Sequence, residues 1–114
     1  MSIKEFQLNE KEKCYKYVKR AILSNIKSHI RNAPNENSIN YYYNSSFVVK
    51  ETGKLGEPIW IYSKINMWFE RLFEDLKAEG ITLRKIEVYK NKSKGIFKRK
   101  ESKEFQYDYY NLSW

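Results

Sequence analysis

Few residues of this chain could do covalent chemistry. Cys14 and His29 are its single cysteine and its single histidine. Both fall on one helix of the reading below, about 22 Å apart at 1.5 Å per residue, so they cannot form a nucleophile–base pair within one molecule. One cysteine also excludes an internal disulfide framework and a multi-cysteine zinc site. Gly53-Lys54-Leu55-Gly56 lacks the Gly-x4-Gly-Lys-Ser/Thr spacing of a phosphate loop. Glu101-Ser102-Lys103 has the Glu-x-Lys spacing of a metal-dependent nuclease, but no acidic partner is in evidence on a neighbouring strand, and Glu87-Val88-Tyr89-Lys90 lacks the spacing. Glu70, Glu74, Asp75 and Glu79 interleave with Arg71 and Lys77, the pattern of a solvated helix face with local ion pairs. No catalytic residue, metal or cofactor is assigned.

The cations say more. On a helical wheel Lys13, Lys16, Arg20, Lys27 and Arg31 fall within about a 60° arc, opposite the apolar stripe, and span about 27 Å. That length suits a run of phosphates. A second cluster comprises Arg84, Lys85, Lys92, Lys94, Lys98, Arg99 and Lys100, with Lys90 and Lys103, against only Glu87 and Glu101. A basic hairpin of this kind could probe a nucleic-acid groove or an acidic protein surface.

Aromatic residues make up 17% of the chain, 10 of them tyrosine. Trp60, Trp68, Phe69 and Phe73 fit a core pattern. Tyr41, Tyr42, Tyr43, Tyr107, Tyr109, Tyr110 and Trp114 do not all fit one, because strand alternation must turn some of them outward. Outward tyrosines near lysines suit base stacking on single strands, and equally a protein interface.

The frame that must position these groups is small. With 114 residues, 41% hydrophobic and 32% charged, the chain suits one domain with one modest core. Its net charge of +8 rules out an acidic nucleic-acid mimic. Asn9 and Glu12 have capping-box spacing, and Cys14, Tyr15, Val18, Ile22, Ile26 and Ile30 fall on one face, predicting a helix over Glu10–Arg31. Ser46–Glu51 and Pro58–Ser63 read as strands of a hairpin, which Tyr41-Tyr42-Tyr43 could extend. Ile65, Trp68, Phe69, Leu72, Phe73 and Leu76 predict a second helix over Lys64–Glu79, ended by Gly80. Strands are expected over Ile81–Lys90, with a bulge near Arg84–Lys85, over Ile96–Lys100 and over Glu104–Tyr110. The expected fold is α+β, a two-layer sandwich with a mainly antiparallel sheet and two amphipathic helices on one face, in the order α-β-β-α-β-β-β.

No signal segment and no apolar stretch of about 18 residues is present, so a cytoplasmic protein with no membrane partner is expected. The wealth of Lys, Asn, Ile and Tyr points to an AT-rich gene, from a bacterium, phage or plasmid. The leading functional expectation is a small nucleic-acid-binding protein, for DNA or RNA, working by electrostatic phosphate contact. The alternative is a non-catalytic phage or mobile-element protein that inhibits a host protein or nucleoprotein complex, in the manner of an anti-CRISPR or a replication or transcription inhibitor. A third is a small ribonuclease-type toxin. A homodimer would double the basic footprint.

Overall fold

A computed structural model describes residues 2–43, 46–52, 59–92 and 102–114. The fold is α+β, with helices α1 (Ile3–Asn32), α2 (Ser46–Thr52), α3 (Ile59–Met67) and α4 (Phe69–Lys77) and strands β1 (Ser38–Tyr42), β2 (Thr82–Lys92) and β3 (Ser102–Ser113). The three strands form one antiparallel sheet in the order β1-β3-β2. Among the described residues no helix is long and apolar enough to cross a membrane.

Helix α1 begins seven residues before the expected start. The cap is Ser2, whose hydroxyl accepts from the backbone N–H of Glu5, so the capping function falls to Ser2 rather than Asn9. Glu12 is drawn away to a two-pronged pair with Arg71 of α4, at 2.7 and 2.8 Å. The buried line of α1 is Tyr15, Val18, Ile22 and Ile26, as the periodicity predicts. Residues 2–13 are all exposed, so the first three turns reach past the buried core, tied to α4 by the Glu12–Arg71 pair.

The expected hairpin of Ser46–Glu51 and Pro58–Ser63 is not formed: both segments are helical where described. Short apolar runs fit strand and helix alike, and periodicity settles them only over a longer window. That window was available. Ile61, Ile65, Trp68, Leu72 and Leu76 continue one helical stripe through α3 and α4. Trp68 interrupts it with φ −118° and ψ 33°, yet hydrogen bonds from Trp68 N–H to Lys64 (3.0 Å) and from Leu72 N–H to Trp68 (2.9 Å) bridge the break. The stripe ends as expected at Gly80, φ +79°. Ile81 N–H reaches back to Leu76 and Gly80 N–H to Lys77, closing a left-handed cap with Ile81 and Leu76 both buried.

Strand β3 is central and its alternation sorts the sheet. Tyr110 and Leu112 join Tyr41, Leu83 and Ile81 in the buried cluster with α1, α3 and α4. Four tyrosines here carry hydroxyls that burial would penalise without partners. Tyr15 donates to Asp75, Tyr62 to Asp108 and Tyr110 to Asn66 (2.7 Å), while Tyr41 accepts from Asn25 (2.8 Å).

The bulge expected at Arg84–Lys85 is absent. Strand β2 alternates without a break there, and the register shift lies between Val88 and Tyr89, where Gln106 of β3 is the extra residue. No bulge is needed at Arg84–Lys85, because the apolar residues of β2 lie on both faces of the sheet. Leu83 faces the helices, whereas Ile86 and Val88 lie opposite Tyr109 and Tyr107 on the outer face. The strand expected over Ile96–Lys100 lies outside the described residues; among the described residues β2 pairs with β3.

Replacing Leu112, fully buried on the central strand, with Ala should cost about 2–5 kcal/mol in urea unfolding. Gly80→Ala meets no atom within 4 Å, so it should cost only the left-handed backbone penalty of about 1–2 kcal/mol. Equal losses for the two variants would contradict this account of the core and the cap.

Candidate nucleic-acid interface

Two surfaces carry the residues singled out above, and they look in different directions. The first is the polar side of α1. Lys16, Arg20, Lys27 and Arg31 are exposed there and make no ion pair among the described residues. Lys13 pairs with Glu10 at 3.4 Å, an exposed contact one turn apart. Three of the protein's acids are paired across elements. Glu12 is held by Arg71, Glu79 by Lys19 (3.9 Å), and Asp108 by Lys85 (3.5 Å). The Arg71 guanidinium, and more weakly Lys16, hold the Glu12 carboxyl below its usual range. These contacts leave a cationic line about 22 Å long from Lys16 to Arg31.

The second surface is the outer face of the sheet. Tyr42, Tyr107 and Tyr109 form a cluster there, with ring centroids 4.9 Å (Tyr42–Tyr109), 6.3 Å (Tyr107–Tyr109) and 6.5 Å (Tyr42–Tyr107) apart. Phe47 of α2 abuts Tyr107 at 5.8 Å. A polar ladder crosses all three strands beside the rings. Arg84 donates to Asn111 (3.1 Å), Asn111 to Asn40 (2.7 Å), and Asn40 to the Tyr42 hydroxyl (3.3 Å). At the bulge, Phe47, Val88, Lys90, Gln106 and Tyr107 line a hollow of about 310 Å³, with Tyr89 at its side. On the other side of Gln106 a second hollow, about 320 Å³, opens between Tyr43, Tyr62 and Asp108.

The remaining expected residues are dispersed. Tyr41 and Tyr110, each 1% exposed, are core and present no ring to a ligand. Their strand positions are odd and even, but β1 and β3 are antiparallel neighbours in register, so Tyr41 and Tyr110 face each other inward. Tyr43 is exposed and edge-on to Tyr62, and Trp114 is half-buried, edge-on to His29. Lys85 points inward, over the Tyr110 ring and beside Asp108. Lys92 ends β2, with its side chain outside those described; Lys94, Lys98, Arg99 and Lys100 lie outside the described residues. Sequence reasoning passed over Phe47, Gln106 and the two asparagines of the ladder. One signal for the outer patch was present, the shared parity of Ile86 and Val88 against Leu83.

No family model, curated protein or solved structure matches this chain. The site must be read from its own chemistry.

Burial pushes the hydroxyls of Tyr15, Tyr62, Tyr109 and Tyr110 above the ordinary tyrosine range, with Asp75 adding to it at Tyr15 and Asp108 at Tyr62. The fold thus favours their neutral forms. Their contribution to stability is complete below about pH 10 and is lost as pH rises through the raised values. A phenolate absorbance titration should show a late class of tyrosines that ionises together with loss of structure. Tyr15→Phe and Tyr62→Phe should each shrink that class by one; an unchanged late class would refute the assignment.

Proposed function

We propose that this protein binds nucleic acid through phosphate contacts made by the exposed face of α1. The observation that supports this reading is the line Lys16, Arg20, Lys27 and Arg31, exposed and without ion-pair partners among the described residues, in a chain of net charge +8. A solvated helix face ordinarily mixes signs and gains from pairs one turn apart. Here the ion pair within α1, among the described residues, is Lys13–Glu10, and Glu12 and Lys19 of α1 are paired instead with Arg71 and Glu79 of the α4 region. With α1, α3 and α4 as one layer packed on the inner sheet face, the α1 cations point away from the sheet. Phosphate contacts of this kind position a ligand without reading its sequence.

A second reading, an inhibitor that docks on a host protein, draws support from the projecting start of α1. Ile3, Phe6 and Leu8 are 84%, 55% and 61% exposed there, and large apolar side chains on a cationic helix suit an acidic protein surface.

Fluorescence anisotropy separates the two. Four phosphate contacts on a duplex give a slope of log affinity against log salt near about −3.6, and about a hundredfold loss between about 50 and about 200 mM salt. Changing Lys16, Arg20 and Lys27 together to Glu should bring the slope close to about −1. Absence of binding at the lower salt would overturn the nucleic-acid reading and favour the protein inhibitor.

A further inference from the structure

We infer that the outer face of the sheet is a platform for single-stranded nucleic acid, on which bases stack and one base enters the hollow at the bulge. This rests on nucleic acid being the partner, and it adds a contact surface separate from the α1 face.

Three observations carry it. First, Tyr107 and Tyr109 lie two residues apart on one strand, with ring planes 29° from parallel, and Tyr42 lies across from them on β1. Tyrosine stacking on successive bases tolerates any sequence, because every base has a π face. A duplex keeps its bases stacked on one another and cannot offer them to such rings; a single strand can. Second, the bulge hollow combines the parts a splayed base needs. Phe47 and Tyr107 supply aromatic walls, Val88 an apolar contact, the Gln106 amide a donor and an acceptor, and Lys90 a cation for the adjoining phosphate. Its volume of about 310 Å³ is at the small end for ligand sites, suited to a group the size of a nucleobase. The bulge itself makes this place: Gln106 faces no partner residue in the ladder.

Third, the charge fits. Arg84 and Lys90 lie at opposite ends of the ring cluster on the same face of β2, with Glu104 the acid across from Lys90. Arg84 is exposed and tethered through one nitrogen to Asn111, so its guanidinium is oriented and still has donors free for a phosphate or a base edge. A strand lying from Arg84 across Tyr109 and Tyr107 to Lys90 would place cations at both ends of its stacked bases. An acidic protein would use the cations but has no need of stacked rings beside a base-sized hollow.

The test uses the full chain and synthetic strands of about ten nucleotides, in RNA and DNA versions, carrying a photoreactive thiopyrimidine, with the matching duplexes as controls. At a salt concentration high enough to screen long-range attraction, single strands should bind at least about tenfold tighter than duplexes of the same sequence. Cross-links in the unmodified protein should map to peptides of β1 and β3 around Tyr42, Tyr107 and Tyr109. Tyr109→Ala and Tyr107→Ala should each weaken single-strand binding about tenfold, with Tyr→Phe at the same positions close to wild type and α1-dependent duplex binding retained. Because either Ala variant could disturb the sheet, Arg84→Ala, at an exposed site, gives a second measure and should also weaken single-strand binding. Equal or tighter binding of duplex, with cross-links confined to α1, would overturn the platform and leave the α1 reading standing. No binding of any strand, single or double, would overturn both.

Discussion

Strand β3 has hydrogen-bonded neighbours on both sides, and the rest of the architecture answers to its two-residue alternation. Tyr110 and Leu112 turn inward and meet Tyr41, Leu83 and the buried lines of the helices. Tyr107, Tyr109 and Asn111 turn outward and meet Tyr42, Arg84 and Asn40. A slip of one residue would exchange these sets, placing Asn111 among the helices and Leu112 in the polar ladder between Arg84 and Asn40. The bulge at Gln106 stands just beyond the last of the outward pair, at the point where β1 has already ended opposite Tyr109. There the unpaired edge of β3 is free to be flanked by α2, whose Phe47 packs on Tyr107.

A core this rich in tyrosine is stable only if its hydroxyls are paired, because each unpaired one would cost about 1–3 kcal/mol. The partners are polar residues placed for that purpose on neighbouring elements: Asp75 on α4, Asn25 on α1, Asn66 on α3 and Asp108 on β3. The arrangement also disposes of negative charge. Asp108 lies between the Tyr62 hydroxyl and the Lys85 ammonium, and Arg71 sits 3.8 Å over the Tyr15 ring while gripping Glu12.

The molecule is elongated, with a radius of gyration of 18.0 Å, against about 13 Å for a compact chain of this length. Helix α1, about 45 Å long, accounts for part of this, since its first three turns reach past the core. Its cations and the outer sheet face are therefore separate surfaces. A partner that touches both must bend around the protein or be met by two molecules.

The sequence by itself determined the helical line Tyr15, Val18, Ile22 and Ile26, the Leu72–Leu76 face, the Gly80 stop and the exposed α1 cations. Each of these follows from a period of 3.6 residues or from a single backbone requirement, which local sequence carries in full. The tertiary structure decided what local sequence leaves open. Phe47-Val48-Val49 suits strand and helix equally, and in the fold it is helix, with Val48 buried and Phe47 against Tyr107. Alternation showed that some tyrosines must face outward, but only the pairing of β3 with both β1 and β2 fixed which ones. Tyr41 and Tyr110 are core and Tyr42, Tyr107 and Tyr109 are half-buried on the outer face because a strand's two faces are told apart by what packs on them, and that is a property of the whole fold.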